Sequence, residues 1–359
     1  MPRVLDSYNE IGFLKPFLNK LKRIGPDPRY WTYRTNWWLV NKLHYVTRFP
    51  IHMDIESTNF CNLKCTMCPH SIEEFSMAKG YFNMDTYRRL LPQFQAGGIK
   101  SLKLNIRGEP LLNRNLVEMV ALAKEHGILE VMFNTNGLLL TEGKTRELAE
   151  AGLDYLIVSI DGVTAKTYNA IRRGGDFDTL RRNLEYFVAY RRHNRLKKPL
   201  LRLQFVEMEE NRHEVADYLA MWEGKADVMT VNHYSNRGCG ERQAHEMVPV
   251  GRVNCFHPWR RMSISWKGEA MMCCGDWHNR CVLGDVAKTS IGDIWHSLRL
   301  ADYRGKLKAR RLNEIPCCKD CFVLASYAWE RKDRLKQGVR PLQMPFGREA
   351  ARIEREARP

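Results

Sequence analysis

From residue 51 the chain alternates short β-branched or aliphatic runs with longer segments whose apolar residues recur every three or four positions. The runs IHMDIES (51–57), SLKLN (101–105), LEVMFN (129–134), YLIVSI (155–160), LLRLQFV (200–206) and DVMTVN (227–232) predict strands. Between them, MDTYRRLLPQFQAGG, NLVEMVALAKEHG and TRELAEAGL read as amphipathic helices, most ending at the glycine that a left-handed C-cap favours. Six β/α units in series argue for a parallel sheet with right-handed crossovers, either doubly wound or an open barrel. The unusual polar stretches follow the strands: a cysteine cluster after the first, RGEP after the second, NTNG after the third and SIDG after the fourth. In barrel-type α/β enzymes the C-terminal strand ends carry the chemistry. Four such loops on one rim describe one active site.

After residue 232 the rhythm breaks. NHYSNRGCGERQ is a polar bridge, and from Cys255 to about residue 325 the chain is rich in Cys, Trp and Gly with little long periodicity. This predicts four parts: a basic, Trp-rich extension over 1–48, the β/α region over 49–235, a smaller metal-held domain over 236–325 and a charged tail over 326–359.

Composition narrows the class. A chain of 359 residues with 44% hydrophobic and 27% charged residues is globular in type, with enough length for about two domains. No apolar run approaches the ~20 residues of a membrane span, and the N-terminus lacks the layout of a secretory signal, so the expected location is the cytoplasm. The formal charge is +16. Residues 1–50 hold nine Lys/Arg against three Asp/Glu and residues 322–359 nine against five, so the excess is concentrated in the flanks. That placement favours solvated surface, an anionic small molecule or a lipid headgroup over nucleic acid.

Eleven cysteines in a reducing compartment call for metal rather than disulfides, and an odd number cannot all pair within the chain. Cys61, Cys65 and Cys68 follow the spacing C-x3-C-x2-C on the loop after the first strand. Three thiolates on one short loop can hold three corners of a [4Fe–4S] cluster and leave the fourth iron open. A structural zinc site would need a second local pair, which is missing.

This cluster after the first strand of a six-unit β/α region resembles the radical S-adenosylmethionine superfamily. The resemblance implies a partial (β/α)6 barrel in which the open iron binds S-adenosylmethionine and yields a 5′-deoxyadenosyl radical. Arg107-Gly108-Glu109-Pro110 is similar to that family's GGEP motif, which gives Gly108 and Glu109 a cofactor-binding role, with Glu109 at the methionine ammonium. Arg107 is a departure from it. Asn136 in TNG, and Ser159 and Asp161 in SIDG, resemble the family's further cofactor contacts. Arg172, in YNAIRRGG, is read as a helix-surface charge.

Downstream, Cys255, Gly268, Cys273 and the pair Cys318/Cys321 resemble the SPASM/twitch domain, which carries auxiliary iron–sulfur clusters. Four ligands, Cys255, Cys273, Cys318 and Cys321, suffice for one fully coordinated auxiliary [4Fe–4S] cluster. Cys274 can replace Cys273 and Cys317 can replace Cys318 on spacing alone. Cys281 is read as a buried small apolar residue.

The resemblance implies an enzyme that abstracts hydrogen from a small molecule such as a sugar or aminocyclitol, with the auxiliary cluster accepting an electron in a dehydrogenation. An external donor such as flavodoxin or ferredoxin is then a partner, and the Trp-rich N-terminal segment suggests peripheral contact with a membrane. The alternatives are an epimerase in which Cys239 returns a hydrogen atom, a peptide-modifying maturase, and a non-enzymatic metal-containing nucleic-acid-binding protein.

Overall fold

The computed structural model describes residues 3–4, 27–71, 77–234, 255–318 and 321. Cys239, most of the polar bridge, the first part of the N-terminal extension and the charged tail lie outside the described residues.

The strands are β1 (Arg3–Val4), β2 (His52–Ile55), β3 (Lys64–Cys65), β4 (Ser101–Lys103), β5 (Glu130–Thr135), β6 (Tyr155–Ser159), β7 (Arg172–Arg173), β8 (Leu200–Glu207), β9 (Val228–His233), β10 (Arg261–Ile264), β11 (Glu269–Met271) and β12 (Val282–Asp285). All six strands anticipated from periodicity are present. They stand in the order β9-β8-β6-β5-β4-β2, each parallel to its neighbour. The fold is a partial (β/α)6 barrel.

The C-terminal region joins the barrel through its sheet. Its first strand, β10, pairs in parallel with β2, Arg261 against His52 and Ile264 against Ile55, and β11 and β12 continue the same sheet as antiparallel strands. Without β10 the β2 edge would present unpaired N–H and C=O groups, so the two regions share backbone hydrogen bonds rather than a side-chain interface alone.

The helices follow the chain as α1 (Pro28–Leu43), α2 (Met84–Gly97), α3 (Leu116–Glu125), α4 (Glu142–Glu150), α5 (Ala165–Ile171), α6 (Phe177–His193), α7 (Val215–Trp222), α8 (His257–Arg260), α9 (Ile291–Trp295) and α10 (Leu298–Lys308). In α2, Asn83 caps the start by accepting from the Thr86 N–H at 2.8 Å. Its apolar residues Tyr87, Leu90, Leu91 and Phe94 fall on one buried face, and Gly98 ends it at φ +73°.

Strand alternation divides the sheet into two chemistries. Leu102, Val131, Phe133, Leu156, Val158, Leu201, Leu203 and Phe205 point to the helices and are fully buried. The intervening positions, Lys103, Asn134, Ser159, Arg202 and Gln204 among them, line the barrel interior and are half-buried. The lumen is therefore polar.

Helix α1 closes the N-terminal end of this lumen. Asp27 caps it by accepting from the Arg29 N–H at 2.9 Å, and Pro28 occupies its first turn. Tyr30 and Tyr33 are buried on its inner face. The Tyr33 phenol meets Ser101 and Glu130 at the strand bases, and burial pushes its pKa well up. Trp37 packs edge-on against the His52 ring at 6.1 Å, and the Arg260 guanidinium lies 4.2 Å above the same indole. Part of the aromatic content of the N-terminal extension is thus spent inside the fold. No helix among the described residues is long and apolar enough to cross a membrane.

If α1 is a structural plug, Tyr33→Ala leaves a cavity at the barrel base and should cost about 3 kcal/mol. Thr35→Ala, on the exposed side of the same helix, should stay within about 0.5 kcal/mol. Denaturant midpoints of the two variants check this.

Candidate functional site

The cysteine loop leaves β2 and is tied down before the thiols are reached. Thr58 forms a bridge with Tyr81, and the Asn59 amide donates to the Ala78 carbonyl and accepts from the Gly80 N–H, both at 2.9 Å. Farther along, β3 pairs antiparallel with β7, Cys65 opposite Arg172, which draws the end of α5 against the loop. The Cys68 N–H closes a turn onto the Cys65 carbonyl at 3.1 Å.

Cys61, Cys65 and Cys68 face one another. Burial pushes the Cys61 thiol up to about 12 and the Cys65 thiol up to about 11, with the neighbouring cysteines adding to both. Arg172 opposes this at Cys65, where its guanidinium lies 3.9 Å from Sγ. Arg172 is 7% exposed, so the expectation of a helix-surface charge is corrected. The residue ends α5 and turns inward to Asp161, its ion-pair partner at 2.5 Å.

The RGEP loop threads through the same region. Gly108 has φ +71°, and a Cβ there would fall 2.6 Å from the Phe60 carbonyl oxygen and 2.7 Å from the Asn59 Cα and the Thr58 oxygen. Only glycine lets the motif lie flat on the cysteine loop. The Glu109 N–H then donates to the Phe60 carbonyl at 2.7 Å. Its carboxylate accepts from the Leu111 N–H at 3.1 Å, the Thr135 hydroxyl at 2.6 Å and the Asn136 N–H at 2.7 Å. Burial pushes Glu109 up from the usual carboxylate range, and these bonds pull against it. Asn136 in turn donates from its amide to Asn62 Oδ1 at 2.8 Å. Glu109 and Asn136 are thereby brought to the thiol loop. Ser159 sits half-buried at the end of β6. Asp161 accepts from the Val206 N–H at 2.7 Å and pairs with Arg172, so its charge is turned toward that guanidinium.

The residue that departs from the motif makes the longest reach. Arg107 has no exposed side-chain surface and forms a bidentate pair with Glu56, at 2.5 and 2.8 Å. Its remaining nitrogen donates to the Trp277 carbonyl at 2.8 Å and to Asn279 Oδ1 at 3.1 Å. The sequence marked Arg107 only as a departure, and the motif position was the available signal.

The second set of thiols gathers beside β10 and β11. Burial raises Cys255, and its thiol neighbours are Cys321 and Cys318. Cys273 has Cys274, Cys255 and Cys321 around it, while Cys274 faces the Arg261 guanidinium at 3.3 Å. Cys317 lies between the set and Cys281: its Sγ is 4.0 Å from Cys318 Sγ, and its N–H donates to Cys281 Sγ at 3.2 Å, with Asp276 beside them. Cys281 is fully buried.

Donor spacing tests the fit of a metal group. Among the described residues, the trios whose donor atoms lie within 4.8 Å of one another are His257/Cys273/Cys274 and Asp276/Cys281/Cys317. Neither Cys61/Cys65/Cys68 nor Cys255/Cys273/Cys318/Cys321 is drawn so tight. Thiols that neighbour one another yet do not close on a single ion suit a multi-iron cluster better than a tetrahedral zinc site.

Residues 55–218 match the radical SAM superfamily and residues 255–322 match an iron–sulfur cluster-binding domain of the SPASM type. The chain is a radical S-adenosylmethionine enzyme with a C-terminal auxiliary iron–sulfur domain, and its cofactors are S-adenosylmethionine and iron–sulfur clusters. It is 29% identical over 235 residues to a GTP 3′,8-cyclase of Lactiplantibacillus plantarum, a match covering 65% of this chain and 62% of that relative. It is 22% identical over 283 residues to the S-adenosyl-L-methionine-dependent 2-deoxy-scyllo-inosamine dehydrogenase of Niallia circulans, covering 78% of this chain and 96% of the relative. Among solved structures, BtrN in complex with AdoMet and 2-DOIA superposes with a TM-score of 0.55 at 21% identity, over 77% of this chain and 94% of that one.

Gly108→Ala should push the RGEP loop off the cysteine loop and displace Glu109. Affinity for S-adenosylmethionine, read by equilibrium binding to the anaerobically reconstituted protein, is expected to fall at least about tenfold. Iron bound by the auxiliary domain should be retained.

Proposed function

We propose that the chain dehydrogenates a small hydroxylated molecule such as a sugar or cyclitol. In this reading Cys61, Cys65 and Cys68 hold the cluster that binds S-adenosylmethionine. Cys255, Cys273, Cys318 and Cys321 hold one auxiliary [4Fe–4S] cluster. The observation that carries the reading is the gathering of Cys255, Cys273, Cys318 and Cys321 as neighbours, enough thiols for one fully coordinated cluster of the electron-transfer kind. The inosamine dehydrogenase relative, matched over nearly its whole length, supports it.

When bound, these groups supply a 5′-deoxyadenosyl radical to take a hydrogen atom from a carbinol carbon, and an acceptor for the electron left behind, so that loss of a proton to water gives the carbonyl. The protein's own part is placement. Glu109 offers a carboxylate to the methionine ammonium, and Gly108, Asn136, Ser159 and Asp161 complete the cofactor contacts, Asp161 by orienting Arg172. Arg107 fixes that rim relative to the auxiliary domain. We assign the barrel to 49–235 and the auxiliary domain to 236–325, with the flanks 1–48 and 326–359 outside them. An external carrier such as flavodoxin or ferredoxin delivers and removes electrons. A non-enzymatic nucleic-acid-binding role does not account for the two enzyme domains, and an epimerase would depend on Cys239, outside the described residues.

The two enzymatic outcomes separate cleanly. Cys318→Ala/Cys321→Ala should abolish the oxidised product while leaving measurable 5′-deoxyadenosine, and Cys239→Ala should stay active. Turnover in heavy water, read by mass spectrometry, should give a product two electrons more oxidised with no deuterium on carbon. Deuterium at unchanged oxidation state would replace the dehydrogenase reading with the epimerase.

A further inference from the structure

The loop from β11 to β12 closes on itself through one carboxylate. Asp276 Oδ1 accepts from the Arg280 N–H at 2.9 Å and Oδ2 from the Cys281 N–H at 2.7 Å, and the Cys281 side chain that follows is fully buried. A second loop meets it there. The turn closed by the Cys318 N–H on the Ile315 carbonyl at 2.9 Å brings up Cys317, whose N–H donates to Cys281 Sγ at 3.2 Å. Arg280 adds a bond from its guanidinium to the Pro316 carbonyl at 3.4 Å.

Asp276, Cys281 and Cys317 thus come from two loops, yet a carboxylate oxygen and two thiol sulfurs lie within 4.8 Å of one another. Around one zinc ion, with ligand bonds of about 2.0–2.3 Å, tetrahedral donors stand about 3.3–3.8 Å apart, so the trio closes on an ion with a small contraction. Its hydrogen bonds do not use up the donors. Each carboxylate oxygen and the Cys281 sulfur keep a lone pair after accepting one N–H, and such bonds are what orient metal ligands. Asp276 is 3% exposed, and no ion pair meets it among the described residues. The His278 ring beside it is held neutral, because burial and the Arg280 charge lower its pKa. A buried carboxylate without a counter-charge calls for a cation.

The other tight trio, His257/Cys273/Cys274, already has its cation: the Arg261 guanidinium lies 3.3 Å from Cys274 Sγ, and Cys273 has Cys255 and Cys321 among its neighbours. Cys318 Sγ lies 4.0 Å from Cys317 Sγ, but its thiol also neighbours Cys255, which keeps it with the auxiliary set.

We propose that Asp276, Cys281 and Cys317 form a mononuclear zinc site, separate from both cluster sets, with water completing the tetrahedron. Two thiolates with one carboxylate suit zinc's borderline softness, and binding releases the two thiol protons. The ion pins the β11–β12 loop to the turn that carries Cys318, and so steadies one ligand of the auxiliary cluster from outside. It takes no part in electron transfer, since zinc has no redox chemistry of its own, and the site is independent of the dehydrogenase reading.

Metal analysis of the full chain tests it, after anaerobic reconstitution with iron and sulfide in the presence of one equivalent of zinc, followed by dialysis. The expected content is about one zinc per chain beside about eight irons. Cys317→Ser and Cys281→Ser should each lower the zinc at least about tenfold while the iron stays. Zinc-edge X-ray absorption of the wild-type protein needs no substitution and decides the matter if either variant also loses iron. It should show two sulfur ligands at about 2.3 Å and two oxygen ligands. Zinc below about 0.1 per chain, or zinc unchanged in both variants, overturns the inference. So does a shell of three or more sulfurs, which places the zinc among the auxiliary cysteines, or a shell without sulfur, which marks an adventitious ion only. The dehydrogenase reading stands or falls separately on the oxidation state of the product.

Discussion

A guanidinium with no exposed surface must be met by a carboxylate, and the pairing of Arg107 with Glu56 is the contact on which the site's layout depends. Glu56 directly follows β2 and leads into the cysteine loop; Arg107 opens the RGEP loop. The Trp277 carbonyl and Asn279 bring in the auxiliary domain, and the Trp266 N–H adds a third tie to Glu56 at 3.2 Å. Removing one partner would strand a buried charge, a loss of about 3–5 kcal/mol. The two thiol sets are held in one frame by this pair and by the backbone ladder between β2 and β10.

The same frame explains why the rim loops are short of freedom. Gly108 lies against the Thr58–Phe60 backbone, Glu109 is bonded from three directions, and Asn136 reaches the Asn62 amide. Such a rim needs little rearrangement to receive a cofactor, which is the economy of a preorganised site. Below it, α1 seals the base of the barrel, so a ligand in the lumen is approached from the rim or from the open side of the sheet.

Much of this was legible in the chain. Strand periodicity located six parallel strands, and the thiol spacings located two sets of cysteines, because both signals are local. Arg172 was misread because its burial depends on β3 and β7 pairing across more than a hundred residues, which no helical pattern records. The continuity of β10 with β2 was hidden for the same reason. The role of Arg107 is visible only when Trp277 and Asn279, remote in sequence, arrive beside it. The neighbours of Cys273 and Cys318 were likewise beyond what adjacent cysteines can disclose.

Electron paramagnetic resonance of the reduced, anaerobically reconstituted enzyme bears most directly on the two-cluster account. The account predicts two [4Fe–4S] signals, one that changes shape on adding S-adenosylmethionine and one that does not. Substituting Cys61, Cys65 and Cys68 with Ala should remove the responsive signal and leave the other. A single signal, or two that both ignore S-adenosylmethionine, would contradict it.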